Sequence, residues 1–312
     1  MSGSKTGLAT QTDETSLSAM IPLFWEIGNL KRVRPAHLPD SLATDFFRRA
    51  WGEINGGADV RRIAINLTVQ AVVAAELGAI DQKVLQQSGL SSDEISLVLK
   101  RAFDLSSNTI VANLKTELRQ ALFEQLILNS TKIPSFVEKL ADQPRSGATK
   151  PGAARNVFDA PENHAEHSIV VGIYAVLLAP VFDADIATVF LAALAHHFHN
   201  ADLPDAGFAG EELLGEFLPK IFNNLREQCL AELPESLRPL IRDTFALTMA
   251  ADSPEAKAFH AADVIDRVLQ MRHHADANKF NLQYALEEME LVHAGAVQSF
   301  HYEILREAKL IA

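Results

Sequence analysis

The sequence predicts an all-α fold. Apolar residues recur at three- and four-residue intervals along most of the chain, and no segment of useful length alternates apolar and polar residues as a strand would. Helix-start signals precede some of these segments. With 312 residues, 48% hydrophobic and 22% charged, the chain is long and apolar enough to bury a sizeable core, which excludes a disordered, collagen-like or coiled-coil protein.

The amino-terminal half is predicted to be a tail followed by a stack of helices. Residues 1–18 are rich in Ser, Thr and Gly and lack large hydrophobic periodicity, which is typical of a flexible tail. Helical periodicity then runs from Ile21, Ser91 caps a helix with an acidic first turn, and residues 110–128 are amphipathic. Residues 142–152 hold two Pro and two Gly, and are predicted to be a linker between a helical region at 19–141 and a second domain at 153–312.

The carboxy-terminal half is also predicted to be helical, with one polar loop at 200–210 that contains Gly, Pro and Asp. The predicted helices are 168–179, 186–195, 211–227, 234–250, 254–275 and 282–307. Ten of the eleven histidines lie at or after residue 164, and only His37 precedes them. Any imidazole chemistry is therefore expected in this half.

Charge and cysteine content narrow the classes of partner and compartment. The net charge is −12, from 40 acidic and 28 basic residues, which disfavours nucleic acid and anionic membranes as partners. The single cysteine, Cys229, excludes an intrachain disulfide and a thiolate zinc site and suits a reducing compartment. No secretory leader is recognised, and no apolar run approaches the roughly 20 residues that span a bilayer. We therefore expect a cytoplasmic protein.

Four segments concentrate residues that bind metals: His164 with His167, His196 with His197 and His199, His260 with Asp263, and His273 with His274. His164 and His167 are three residues apart, as are His196 and His199, so each pair can share one helical face. His196 and His197 end an apolar segment beside the predicted loop, where active sites are common. Neutral imidazoles with a carboxylate suit Zn, Fe, Mn or Co. A lone histidine is usually structural, and this is expected for His37, His273, His274, His293 and His301.

The order of these motifs resembles the HD-domain superfamily of metal-dependent phosphohydrolases, whose motif is H…HD…D. Residues 161–168 (PENHAEHS), 189–204 and the AAD sequence at 261–263 are similar to signatures of its 5′-deoxynucleotidase-like branch, over about residues 150–312. The resemblance implies a helical domain that holds a divalent metal ion (Zn, Mn, Co or Fe). The metal ligands that it implies are His167, His196, His197 and Asp263.

The sequence departs from this pattern at the second motif. His197 stands where the family has Asp, and His199-Asn200 occupy the neighbourhood of a Glu that helps to activate water in the branch, in a shortened loop. An imidazole cannot bridge two metals as a carboxylate can, so His197 favours a mononuclear site or none. Residues 21–32 also resemble the branch's first helix, which leaves open whether the amino-terminal region contains an insertion or is a degenerate duplicate.

The resemblance further implies catalytic and substrate-binding residues. Asp202, in a segment similar to the branch's GDLP, is the predicted proton acceptor, with His199 or Asp205 as alternatives. Lys150 and Arg155 lie where the branch carries basic residues that meet the substrate phosphate. Arg267, four residues after Asp263, is expected to make a helix-face ion pair.

Three functions are compatible with these residues. The first is a phosphohydrolase that uses a metal-activated water on a nucleotide or other small phosphate monoester. The second is a non-catalytic HD-like module for binding or regulation, and the third is an iron-dependent oxygenase of the HD type. The expected partner is a small phosphorylated molecule, with no nucleic acid and no membrane, and homo-oligomers are compatible with the sequence.

Overall fold

The computed structural model describes residues 16–123, 133–147, 149–152, 160–278, 282–287 and 290–311. In these ranges the chain is helical, and an isolated bridge between Pro144 and Asn163 is the one β-type pairing. The predicted all-α fold is therefore confirmed. The α-helices are α1 (Leu17–Asn29), α2 (Leu42–Asn55), α3 (Val60–Leu77), α4 (Gln82–Gln87), α5 (Ser92–Ser106), α6 (Ala112–Ala121), α7 (Ser135–Asp142), α8 (His164–Phe182), α9 (Ile186–Ala195), α10 (Gly207–Leu214), α11 (Leu218–Ala231), α12 (Leu237–Thr244), α13 (Pro254–Asn278), α14 (Leu282–Glu287) and α15 (Gln298–Glu307).

Several helices begin at a side-chain cap that the sequence supplies. The backbone amides of Arg62 and Val84 donate to the carboxylates of Asp59 and Asp81 at the starts of α3 and α4. At the predicted start of α5, the Ser91 hydroxyl accepts from the Glu94 amide at 3.4 Å, and the Glu94 carboxylate accepts from the Ser91 amide at 2.8 Å. Each cap satisfies backbone donors that the helix itself leaves unpaired.

Helix α8 is the centre of the fold. Its residues from His164 to Ala179 are buried, and the helix packs against α9, α13, α2 and α3. The Tyr174 hydroxyl donates to the carbonyl of Phe24 in α1. The amino-terminal helices and the histidine-rich half thus share one hydrophobic core, and the domain division at residues 142–152 stays a prediction.

Helix α8 is also the one described helix that is long and apolar enough, by length and composition, to cross a membrane. The expectation that no apolar run approaches that length was therefore wrong. Most of its most apolar window, 83%, is buried inside the protein. A core helix passes the same test of length and composition, so this feature is weak evidence for a membrane span.

Two predicted helices of the carboxy-terminal half are interrupted. The helix expected at 211–227 breaks at Gly215, whose φ of 49° is left-handed, so α10 and α11 are separate. The helix expected at 282–307 is divided into α14 and α15, and Glu290 in the connection has a φ of 48°. Local periodicity did not reveal these breaks, because the apolar spacing continues across them.

Helix boundaries also differ elsewhere: the predicted helix 168–179 is the middle of α8, and of the predicted helix 234–250 the α-helical part is α12. Of the predicted tail, Leu17 is buried and begins α1, while residues 1–15 lie outside the described part of the chain. Of the amphipathic stretch at 110–128, residues 112–121 form α6, and residues 124–128 lie outside the described ranges. The predicted loop at 200–210 ends early, because α10 begins at Gly207.

Candidate metal centre

The first turn of α8 carries two buried histidines. Asn163 caps this helix: its side-chain oxygen accepts from the Glu166 amide at 2.8 Å, and the Glu166 carboxylate accepts from the Asn163 amide at 3.0 Å. This reciprocal cap fixes where the helix begins. His164 and His167, three residues apart, therefore both point into the core, and each is 0% exposed.

His167 lies between two carboxylates of α13. Its Nδ1 is 2.7 Å from Oδ2 of Asp266, and its Nε2 is 3.2 Å from Oδ1 of Asp263. With the proton of Nδ1 donated to Asp266, a lone pair on Nε2 would face the Asp263 carboxylate. Two electron-rich atoms at this distance require a positive charge between them, which a second proton or a metal ion supplies.

His196 ends α9 with a free ring nitrogen. Its Nδ1 donates to the carbonyl of Ala193 at 2.6 Å, which leaves the lone pair on Nε2. That Nε2 is buried and has no hydrogen-bond partner among the described residues, and the same holds for Nε2 of His167. The two ring centroids are 5.2 Å apart, so two buried Nε2 atoms converge where the described residues give neither of them a hydrogen bond.

The protonation states suit metal binding. Burial, and then the neighbouring His167, lowers the pKa of His196 to about 3, so its imidazole is neutral at pH 7. Burial opposes ionisation of Asp263, but His167, Arg267 and His196 outweigh it and hold the pKa of that carboxyl well below its usual range. Two imidazole Nε2 atoms and a carboxylate, with the outer ring nitrogens held by Asp266 and Ala193, are the donor set of a divalent metal site.

His197 completes a group of three histidines. One ring nitrogen from each of His167, His196 and His197 lies within 4.8 Å of the others. The His197 ring also has polar partners of its own: Nδ1 is 2.8 Å from Oδ1 of Asn200, and Nε2 is 3.4 Å from Nη1 of Arg145. Burial, and then His196, holds the pKa of His197 well below its usual range.

A second carboxylate group near His167 already contains a cation. Glu162, His167 and Asp266 lie close enough together to bind a metal. However, the Lys31 ammonium contacts Glu162 and lies 2.6 Å and 2.8 Å from the two oxygens of Asp266. Lys31 is 5% exposed. This buried lysine neutralises the carboxylates, so the place for a metal is on the other side of the His167 ring.

A cavity of about 270 Å³ lies against this group. His196, His197 and Asp263 form part of its wall, and the described cations on this wall are Arg145 and Arg267. Arg267 makes the predicted helix-face ion pair with Asp263 at 3.8 Å, and it also donates to the carbonyl of Leu291. The cavity therefore combines a potential metal site with two guanidinium groups, which bind phosphate readily.

Two carboxylates face the same cavity from the segment after the second motif. Asp205 accepts from the amides of Ser146 at 3.0 Å and Gly207 at 2.8 Å. Glu211 lies one turn into α10, and burial together with the charge of Asp205 raises its pKa. A carboxyl group with a raised pKa is suited to proton transfer near neutral pH.

Of the catalytic and phosphate-binding residues predicted from sequence, Asp202, His199 and Lys150 are not part of the cavity wall, whereas the alternative proton acceptor Asp205 is. Asp202 is 41% exposed in its side chain, pairs with Lys139 at 2.7 Å, and is not part of the cavity wall. His199 is buried against Phe222, with ring centroids 3.8 Å apart, and is also outside the wall. Lys150 is 3.2 Å from Glu290, outside the wall, and Arg155 lies outside the described residues.

Five residues around the site were missed by sequence reasoning: Asp266, Arg145, Lys31, Glu162 and Glu211. Asp266 follows Asp263 by three residues, a spacing that places both on one face of α13 and was available as a signal. Arg145 lies in the predicted linker, and Lys31 and Glu162 lie in segments used only for the resemblance. Nothing local marks these three, because they reach the site through tertiary packing.

The comparison with known proteins rests on one family. No curated protein and no solved structure matches the chain. The family model described as HD domain matches residues 137–304, which contain all four ligands that the resemblance implied. HD domains typically bind divalent metal ions, and the family indicates metal-dependent phosphohydrolase-type activity. More than half of the chain is matched, and the protein belongs to the HD domain family.

Proposed function

We propose that the protein is a metal-dependent phosphohydrolase that releases phosphate from a small monoester, such as a nucleotide. The observation that carries the proposal is the convergence of the His167 and His196 Nε2 atoms with the Asp263 carboxylate beside a cavity. Neither nitrogen makes a hydrogen bond among the described residues, and that of His167 lies 3.2 Å from Asp263. The nucleotide rests on the resemblance of residues 161–168 and 189–204 to the deoxynucleotidase-like branch. The metal, whether Zn, Mn, Co or Fe, is part of the same proposal.

In this function His167, His196 and Asp263 hold the metal, with His197 as the predicted fourth ligand. A bound divalent metal acidifies a water molecule and polarises a phosphoryl oxygen. Arg145 and Arg267 orient the phosphoryl group and neutralise its charge. Glu211, whose pKa is raised by burial and by the charge of Asp205, accepts the proton of the attacking water. Asp205 is held by two backbone amides and keeps the start of α10 in place.

One observation favours a non-catalytic HD module as the second candidate. The residue at the second motif is His197, and its Nε2 already accepts from Arg145. In a domain that has lost catalysis through this departure from the motif, the site binds a phosphorylated molecule without hydrolysing it. The cavity and its two arginines serve either function.

Metal analysis of protein purified without a histidine tag tests the proposal first. We expect one equivalent of Zn, Mn, Co or Fe in the wild type and none in His196→Ala or Asp263→Ala. With metal bound, phosphate should be released from a panel of nucleoside monophosphates or from an aryl phosphate. Full metal occupancy without turnover of any compound favours the binding module, and oxygen consumption with iron bound favours an oxygenase.

A further inference from the structure

The hydrogen bonds around His197 determine which ring nitrogen carries its proton. The side-chain amide nitrogen of Asn200 donates to the carbonyl of Leu203 at 3.2 Å, so the amide oxygen faces the other way. That oxygen is 2.8 Å from Nδ1 of His197 and can only accept. The proton of the His197 ring is therefore on Nδ1, and Nε2 is an acceptor.

The donor to this acceptor is Arg145. Its Nη1 lies 3.4 Å from Nε2 of His197, and a guanidinium can only donate. The backbone amide of Arg145 donates to the carbonyl of Glu162 at 2.8 Å, and Nε lies 3.6 Å from the Glu162 carboxylate. Leu203, Asn200 and His197 thus form a chain of hydrogen bonds that ends on the guanidinium.

The guanidinium that this chain holds faces the cavity. Arg145 and Arg267 are both on the cavity wall, with side chains 20% and 18% exposed. Among the described residues, the partners of the Arg145 guanidinium engage Nη1 and Nε, and Nη2 has none. Two guanidinium groups at one cavity match the several oxygens of a phosphoryl group better than lysines do.

We propose that His197 is a positioning residue for Arg145, and that Arg145 with Arg267 binds the oxyanion of the substrate. The departure from the HD motif then exchanges a metal ligand for a residue that orients the phosphate-binding arginine. This inference rests on the proposed phosphohydrolase function, and the oxyanion is therefore a phosphoryl group. It leaves His167, His196 and Asp263 as the protein ligands of the metal.

Metal content separates positioning from ligation. The metal content of wild type, His197→Ala and His196→Ala is measured after identical purification and dialysis against the same metal. We expect His197→Ala to keep the wild-type stoichiometry while His196→Ala loses the metal. An equal loss in both variants would make His197 a ligand and overturn the proposal.

Binding of inorganic phosphate, followed by calorimetry, tests the role of Arg145. Arg145→Gln should weaken binding about 10- to 100-fold, as expected for loss of a charge-assisted hydrogen bond. His197→Ala should also weaken it, but the double variant should bind no more weakly than Arg145→Gln, because His197 acts through Arg145. His197→Gln, whose side-chain oxygen can accept from Arg145, should recover part of the affinity.

Arg242→Gln is the matched control, since Arg242 is 48% exposed and pairs with Glu227 away from the cavity. It should bind phosphate as the wild type does. If Arg145→Gln is unstable, Arg145→Lys is used instead. Lysine keeps the positive charge but lacks the planar, paired N–H donors of a guanidinium, so phosphate binding should still be weaker. Additive losses from His197→Ala and Arg145→Gln, or wild-type affinity in Arg145→Gln, would refute the inference.

The two proposals fail in different ways. Phosphate affinity that depends on Arg145, without turnover of any monoester, counts against the phosphohydrolase and leaves the positioning role standing. Turnover of a monoester, together with a phosphate affinity that is the same in Arg145→Gln and the wild type, counts against the positioning role alone.

Discussion

Replacing Lys31 with methionine removes the cation from a buried cluster of charges. The side chains of Lys31, Asp266 and Glu162 are 3%, 1% and 8% exposed, and the ammonium contacts both carboxylates. Loss of one partner leaves buried negative charges uncompensated, which costs roughly 3–5 kcal/mol of unfolding free energy. Since Asp266 also orients the His167 ring, metal affinity should fall as well, by about 10- to 100-fold.

The assay is urea unfolding of the metal-free protein, followed by circular dichroism, with metal titrations of the folded variants. Lys139→Met is the control, because Lys139 pairs with Asp202 at 43% and 41% exposure and such a pair contributes about 0–1 kcal/mol. Adding Asp266→Asn to Lys31→Met should restore part of the stability, since it removes one uncompensated charge. Equal unfolding free energies for Lys31→Met and Lys139→Met would refute this reasoning.

Three further predictions address the metal, acid stability and the start of α10. The double variant His196→Ala/Asp263→Ala should hold no metal, and stoichiometric metal in it would place the site elsewhere. Burial lowers the pKa of His196 and His199 to about 3 from 6.5, so below pH 6.5 the unfolded chain binds more protons than the folded one. Stability of the metal-free protein should therefore fall from pH 6.5 towards pH 3, by about 1.4 kcal/mol per pH unit per histidine, and a flat urea-unfolding profile would contradict this. Gly207→Ala should cost about 1–3 kcal/mol in urea unfolding, because φ is 65° and the new Cβ would lie 2.3 Å from Oγ1 of Thr149. Gly215→Ala, which has positive φ but open space around it, should cost less, and equal losses would show that the contact is unimportant.

The sequence was sufficient to predict the fold class, because helical periodicity is a local property. It also indicated His167, His196 and Asp263, since the order and spacing of the motifs mark them. Their neighbours were less predictable. Lys31 pairs with a carboxylate 235 positions away, and no local pattern encodes that contact.

The loop after the second motif shows a different limit. Asp202 and Asp205 lie on either side of the dipeptide Leu203-Pro204, and sequence reasoning preferred Asp202 as the proton acceptor. In the fold, the bond from Asn200 to the Leu203 carbonyl closes a turn. Asp202 then faces Lys139 at the surface, while Asp205 faces the cavity, so the geometry of the turn decides between them.

The burial of α8 has a consequence for how the chain is made. This helix is apolar enough, by length and composition, to suit a lipid bilayer, yet in the fold α2 and α3 pack against it. Because synthesis runs from the amino terminus, α2 and α3 leave the ribosome before α8 does. The surface that α2 and α3 give to α8 in the fold is therefore already synthesised when α8 emerges.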